Sequence, residues 1–306
     1  MRYSVLLLLF CSAPAAGQGP WRFTPAAEAH RTGTFADRRL DESSGVAPSR
    51  RYRGVLWTHN DGPTPLLFAT DTTGAALGIV RVRTDVEDWE DAALGPCGRA
   101  TCLYLADTGD NRERRRSVRI HRFPEPDPVK ARSGTVAAAQ VLEVSYPDAP
   151  HDVEAMWVDP NGDVQLVSKG RRSEIRQFRV PAGAWRAGRA VAQPLALVPI
   201  DATRRLERFV TGAAISPDAR LVALRTYGDI YFFERGRNGA LRLPPSPLAC
   251  RLDGIDIQGE GVGWLDAERL VLTSERAIRR SGTVSVVRCA LPPAPSSSAA
   301  VVRNPS

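Results

Sequence analysis

The sequence predicts an all-β fold, a five-bladed β-propeller with four-stranded blades. Three observations lead there: short alternating apolar runs divided by turn residues, a fivefold repetition of those runs, and a small residue at the same place in every repeat. Runs at 55–57, 102–106, 164–167, 220–224 and 269–272 alternate with period two, as half-buried strands do. Capped stretches of period 3.6 are scarce, and 25 glycines and 24 prolines supply the turns.

The elements follow in chain order. Met1-Arg2-Tyr3, an apolar run at 5–10 and small residues at 13–17 have the anatomy of a secretory signal peptide over residues 1–17, too short to remain as a membrane span. Phe10 precedes Cys11, where a lipoprotein signal wants a small residue, so no lipid anchor is expected. No later stretch approaches the roughly 18 apolar residues of a spanning helix. The chain is therefore expected to be secreted or periplasmic.

Five segments then align on an oxygen-bearing residue followed by a small one: Ser44-Gly45, Asp91-Ala92, Glu154-Ala155, Thr211-Gly212 and Glu260-Gly261. A second strand ends at 59–61, 107–111, 168–169, 225–226 and 273–275. Third strands follow at 66–69, 118–123, 175–180, 230–233 and 284–288, and fourth strands at 79–82, 141–146 and 195–200. Four strands per unit in series is the signature of propeller blades. Spacings between aligned positions run from 47 to 63 residues, too short for two blades. The last unit lacks its fourth strand, which the N-terminal segment at 21–23 or 34–35 is expected to supply, closing the ring and removing sheet edges. The propeller spans 18–291, and 292–306 reads as a disordered Pro/Ser-rich tail. Gly45, Ala92, Ala155, Gly212 and Gly261 suit the crowded axis. A single jelly roll or sandwich is the alternative fold.

Charge and cysteines bound the function. The net charge is +7 over 306 residues, yet Lys130 and Lys169 are the only lysines and the arginines are spread along the chain. A nucleic-acid footprint would cluster with aromatics interleaved, so no nucleic-acid partner is expected, and a monomer is. Without Cys11 four cysteines remain. Cys97 and Cys102 bracket a hairpin loop suited to a local disulfide, which leaves Cys250 and Cys289 as the other pair; two thiols left unoxidised are the alternative. The four histidines lie too far apart for zinc spacing.

In this register Ser44, Asp91, Glu154, Thr211 and Glu260 converge at one mouth of the channel. Three carboxylates and two hydroxyls at close quarters call for a cation, and hard oxygen donors suit Ca²⁺. Glu90 replaces Asp91 as the second blade's ligand if a bulge shifts the strand. These residues resemble the axial calcium site of the five-bladed Ca²⁺-dependent apyrases, secreted or lumenal nucleotidases. The strings Glu42-Ser43-Ser44-Gly45, Trp89-Glu90-Asp91, His151-Asp152-Val153-Glu154-Ala155-Met156-Trp157 and Gln258-Gly259-Glu260-Gly261 are similar to that family's blade starts. There a Ser, two Glu, a Ser and a Glu meet on the axis. The resemblance implies a bound Ca²⁺ and a reaction at phosphate esters or anhydrides; the family's longer insertions around its substrate have no counterpart here.

Around the proposed cation, His59, Asp61, Asp107, His151, Lys169 and Arg225 are the candidate catalytic residues. Lys169 and Arg225 are expected to bind phosphoryl oxygens of a small anionic substrate, and a carboxylate or histidine to act as general base. Trp57, Trp157 and Trp264 read as blade packing, Trp89 as a residue placed to stack on a ligand, and His30 and His121 as surface residues. The rival is a non-catalytic propeller pinned by Ca²⁺ that binds a ligand or envelope partner; a lyase or glycosidase with paired carboxylates is a third reading. The two cations discriminate, because a phosphate site needs them to face the metal and a pin does not.

Overall fold

A computed structural model describes residues 20–294 apart from 133, 173, 201–205, 257 and 277–281. The expected signal peptide and nearly all of the expected tail lie outside the described residues. Five small sheets stand in a ring. Blade 1 runs outward through Ser43–Pro48, Leu56–Asn60, Leu66–Thr70 and Ala76–Arg83, and blade 2 through Trp89–Cys97, Ala100–Asp107, Val118–Pro124 and Gln140–Ser145. Blade 3 is Val153–Val158, Val164–Ser168, Arg176–Val180 and Gln193–Leu197. Blade 4 is Val210–Ile215, Leu221–Thr226, Asp229–Arg235 and Leu248–Arg251. Blade 5 has three strands of its own, Gly259–Trp264, Arg269–Ser274 and Thr283–Arg288. Neighbouring inner strands touch all the way round, blade 5 against blade 1 included.

The closing strand is Glu28–Thr34, which pairs antiparallel with Thr283–Arg288. The alternative segment at 21–23 goes elsewhere: Arg22–Pro25 adds a parallel strand to the outer edge of blade 4. Trp21 anchors it, edge-on to Tyr231 and Phe233 at 4.9 and 5.0 Å, with Nε1 donating to Pro199 O at 2.7 Å. The N-terminal segment therefore grips two blades. Cys250–Cys289 joins the outer strand of blade 4 to the end of the third strand of blade 5, and Cys97–Cys102 closes the hairpin of blade 2. Both pairs are as expected.

Apolar side chains gather between blades. Tyr104 and Ile120 meet Met156 and Phe178 between blades 2 and 3, and Trp157 meets Val222 and Phe233 between blades 3 and 4. Trp57, Trp157 and Trp264 are buried packing residues. A lone blade would leave these faces in water, so closing the ring is what buries them. Among the described residues no helix is long and apolar enough to cross a membrane.

One irregularity recurs. Every inner strand shifts register near its start, between Ser43 and Val46, Trp89 and Asp91, Val153 and Ala155, Val210 and Gly212, and Gly259 and Val262. Such a bulge leaves a residue unpaired and re-aims its side chain. The bulged residues are Ser44, Glu90, Glu154, Thr211 and Glu260. Glu90 therefore takes the place expected of Asp91, and Asp91 falls in the small-residue slot that Gly45, Ala155, Gly212 and Gly261 fill elsewhere. The slot is tight, since a Cβ on Gly45 would collide with the backbone N of Ala92.

Candidate metal centre

The two ends of the channel differ. Where the inner strands finish, Pro48, Pro96, Pro160, Pro217, Trp157 and Trp264 line a cavity of about 230 Å³. A larger groove of about 610 Å³ lies at the outer edge of blade 1, between 76–81 and 131–134. Neither holds carboxylates in number. Those crowd the opposite mouth, where the inner strands start.

There Ser44, Glu90, Glu154, Thr211 and Glu260 are all buried. The two hydroxyls tie neighbouring blades together: Ser44 Oγ donates to Glu90 O at 2.5 Å and Thr211 Oγ1 to Glu260 O at 3.1 Å. Carboxylate oxygens of Glu90, Asp152 and Glu154 lie within 4.8 Å of one another, as do those of Asp61, Asp88 and Glu90. Lys169 Nζ donates to Glu154 Oε1 at 2.6 Å. Against three ring glutamates there is thus one ammonium, a deficit of two charges in a site nearly shut off from water.

The ionisation follows from that crowding. Burial, helped by the charges of Glu154, Asp61 and Asp88, holds Glu90 well above the usual carboxylate range. Burial and the Glu154 charge do the same to Glu260. Burial pushes Glu154 up to about 7, with Lys169 opposing and Asp152 adding to it. Asp88 and Glu275 are also raised to about 7, first by burial and then by neighbouring Asp61 and Glu42 respectively. Glu260 Oε2 is buried without a hydrogen-bond partner.

A second tier surrounds this ring. The residue after each second strand is Asp61, Thr108, Lys169, Tyr227 or Glu275. Tyr227 hydrogen-bonds Glu260 and is the member that sequence reasoning misses. Its signal is positional, since Thr226-Tyr227 stands in blade 4 where Ser168-Lys169 stands in blade 3. The same register explains two departures from expectation. His59 and Arg225 each lie two residues short of this tier, inside a strand.

Arg225 is fully buried. Its Nη1 donates to Gly261 O at 2.6 Å and Thr273 O at 2.9 Å, and Nη2 to Asp256 at 2.6 Å, so it fastens blade 4 to blade 5 and is closed to substrate. His59 is buried edge-on to Trp89 at 5.5 Å, with Nδ1 beside Asn60 O at 2.9 Å; burial pushes it down to about 4. Trp89 is itself fully buried between His59 and His121 and meets no ligand. His121 is interior too, with Nε2 3.4 Å from Asp107.

Asp107 shapes the mouth from below. It accepts the Asp88 N–H at 2.9 Å and Arg115 Nη2 at 3.1 Å, and these with His121 hold it low despite burial. His151 sits on the flank of blade 3, paired to Asp148 at 3.0 Å and packed on Tyr146 and Phe178. Of the six residues expected to be catalytic, Asp61 and Lys169 reach the ring.

No family model matches this chain, and no curated protein matches it. Among solved structures it is similar to a gluconolactonase from Xanthomonas campestris at 13% identity, with 87% of this chain and 98% of that one covered and a TM-score of 0.45. The β-propeller domain of Cps50 (Swd1) from Myceliophteria thermophila is similar at 13% identity, 87% and 99% coverage and a TM-score of 0.40. An auxiliary nutrient binding protein from Bacteroides thetaiotaomicron follows at 11% identity, 72% and 47% coverage and 0.41. At such identities the likeness concerns the fold and nothing finer.

Proposed function

We propose that this is an exported propeller whose ring of Ser44, Glu90, Glu154, Thr211 and Glu260 holds Ca²⁺, and that it hydrolyses a phosphate ester or anhydride at that mouth. The observation that carries the reading is the deficit of two charges among three buried glutamates and one lysine. A divalent ion removes it. The donors are all oxygens, as Ca²⁺ prefers, and the unpartnered Glu260 Oε2 is a lone pair awaiting a ligand. With Glu90 in place, the order Ser, Glu, Glu, Thr, Glu departs from the apyrase ring at one hydroxyl only, which supports the reading further.

When bound, the ion would polarise a phosphoryl oxygen. Glu90, Glu154 and Glu260 would hold it. Lys169 offers the ammonium for a phosphoryl oxygen, and Asp61 or Glu275, at the outer tier, is placed to take a proton from water. The second reading, a Ca²⁺-pinned propeller that binds a ligand without turning it over, draws support from Arg225, whose guanidinium is spent inside the fold.

Thermal unfolding with Ca²⁺ and with chelator, followed by phosphate release from a panel of nucleotides and phosphoesters, tests both. A ligand bound only by the native state raises Tm. The expected result is a calcium-dependent rise in Tm and phosphate release that Lys169→Met abolishes. No shift overturns the site, and a shift with no release from any substrate overturns the hydrolase in favour of the second reading.

A further inference from the structure

We propose that the mouth holds two cations, the second between Asp61, Asp88 and Glu90 on the side of blades 1 and 2, with Glu90 shared between it and the axial ring. The inference rests on the axial reading and extends it. Glu90 belongs to both groups of oxygens that lie within 4.8 Å, one with Asp61 and Asp88 and the other with Asp152 and Glu154. It is only 3% exposed, and its carboxyl is hydrogen-bonded to another carboxyl, that of Glu154. A buried acid aimed at acids on both sides lacks the positive partner that burial demands.

The lateral group shows the same want. Asp61 and Asp88 meet carboxyl to carboxyl, and Asp61 Oδ1 has no hydrogen-bond partner. The loop beside them is cleared for this meeting: a Cβ on Gly109 would collide with Glu90 Oε1 and Asp88 Oδ2. Asp88 is also held in position, because Asp107 accepts its N–H at 2.9 Å. The oxygens are thus arranged around a point between them, with no side chain of the Asp107–Asn111 stretch filling it at 109.

Charge decides between one ion and two. The six carboxylates are Asp61, Asp88, Glu90, Asp152, Glu154 and Glu260. Lys169 answers Glu154 at 2.6 Å and Arg171 stands 3.7 Å from Asp152, while Arg115 is bonded to Asp107 at 3.1 Å. Four negative charges remain, which two divalent ions neutralise and one does not. A pair of ions sharing a carboxylate is an arrangement that clamps a phosphoryl group from two sides, and it supplies the positive charge that Arg225 does not bring.

Calcium titration of metal-stripped full-length chain by calorimetry, with Tm recorded for each variant, tests the proposal. Two Ca²⁺ per chain are expected. Asp61→Asn and Asp88→Asn should each lower the count to one while a calcium-dependent rise in Tm persists; Gly109→Ala, which fills the cleared space without touching a carboxylate, should do the same. One Ca²⁺ per chain in the wild type, lost in Glu260→Gln and kept in Asp61→Asn, overturns the second site and leaves the axial one standing. No binding at all overturns both.

Discussion

Asp91 Oδ2 accepts the backbone N–H of Met156 at 2.8 Å, from the inner strand of the next blade, and the same oxygen accepts that of Ala213 at 3.1 Å. Three blades thus meet on one carboxylate directly under the ring. Asp91→Ala leaves two N–H groups buried without acceptors, each worth about 1–3 kcal/mol. Urea unfolding should show a loss of about 2–4 kcal/mol in total, with or without Ca²⁺. A change under 1 kcal/mol would mean that the strands hold the ring unaided.

Lys169 is the ring's internal counter-charge. Breaking one side of a buried ion pair costs about 3–5 kcal/mol, so Lys169→Met should lower stability in chelator by about 3 kcal/mol at pH 8 and by less at pH 6, where Glu154 takes up a proton. Saturating Ca²⁺ should restore most of the loss. Denaturation midpoints at the two pH values, each with and without the metal, measure this.

Calcium affinity should rise with pH. Glu154 and Glu275 are raised to about 7 and Glu90 and Glu260 are raised further. Without metal, these carboxyls bind protons more tightly folded than unfolded. Their contribution to stability is present below the unfolded value of 4.5 and is lost as pH rises through about 7. Ca²⁺ replaces those protons, so Kd should tighten by about tenfold or more between pH 6 and pH 8. Proton release on binding, read as a dependence of the heat on buffer ionisation enthalpy, checks it independently; a flat Kd would place the bound ion elsewhere.

His59 acts with the opposite sign. Burial lowers it from 6.5 to about 4, so between those values the unfolded chain takes a proton that the folded one refuses. Stability falls as pH drops through this window, by about 3 kcal/mol from this residue. His59→Phe keeps an aromatic edge against Trp89 and should remove that slope. The difference between variant and wild-type stability at pH 4.5 and pH 7 isolates the effect from the carboxyls.

The two disulfides should differ in weight. Cys250–Cys289 closes 39 residues and Cys97–Cys102 closes 5. Loop-closure entropy then gives about 4 kcal/mol for the first and about 2 kcal/mol for the second. Paired Cys→Ser variants compared by urea unfolding rank them, and equal losses would mean that strain or unfolded-state structure sets their value.

Much of this molecule is local, and local features can be read from a sequence. Alternation within 102–106 or 164–167 marks strands because side chains on a strand take opposite faces in turn. Prolines at 48, 96 and 160 end inner strands because proline lacks the donor a ladder needs. Blade number, strand order, the cysteine pairs and the glutamates at 154 and 260 follow from such signals. Pairing between strands decided the rest. A bulge moves every later side chain by one place, so whether Glu90 or Asp91 joins the ring depended on how Trp89 and Asp91 pair with Asp107 and Ala106. The same one- and two-residue differences put Lys169 and Tyr227 at the mouth and shut Arg225 and His59 inside. Only the closed ring settled that Glu28–Thr34, and not the segment at 21–23, completes blade 5. The sequence by itself therefore determined that five blades bring acids to one mouth. Which acids meet there was left to the tertiary structure, because register is a property of two strands and no single stretch of chain contains both.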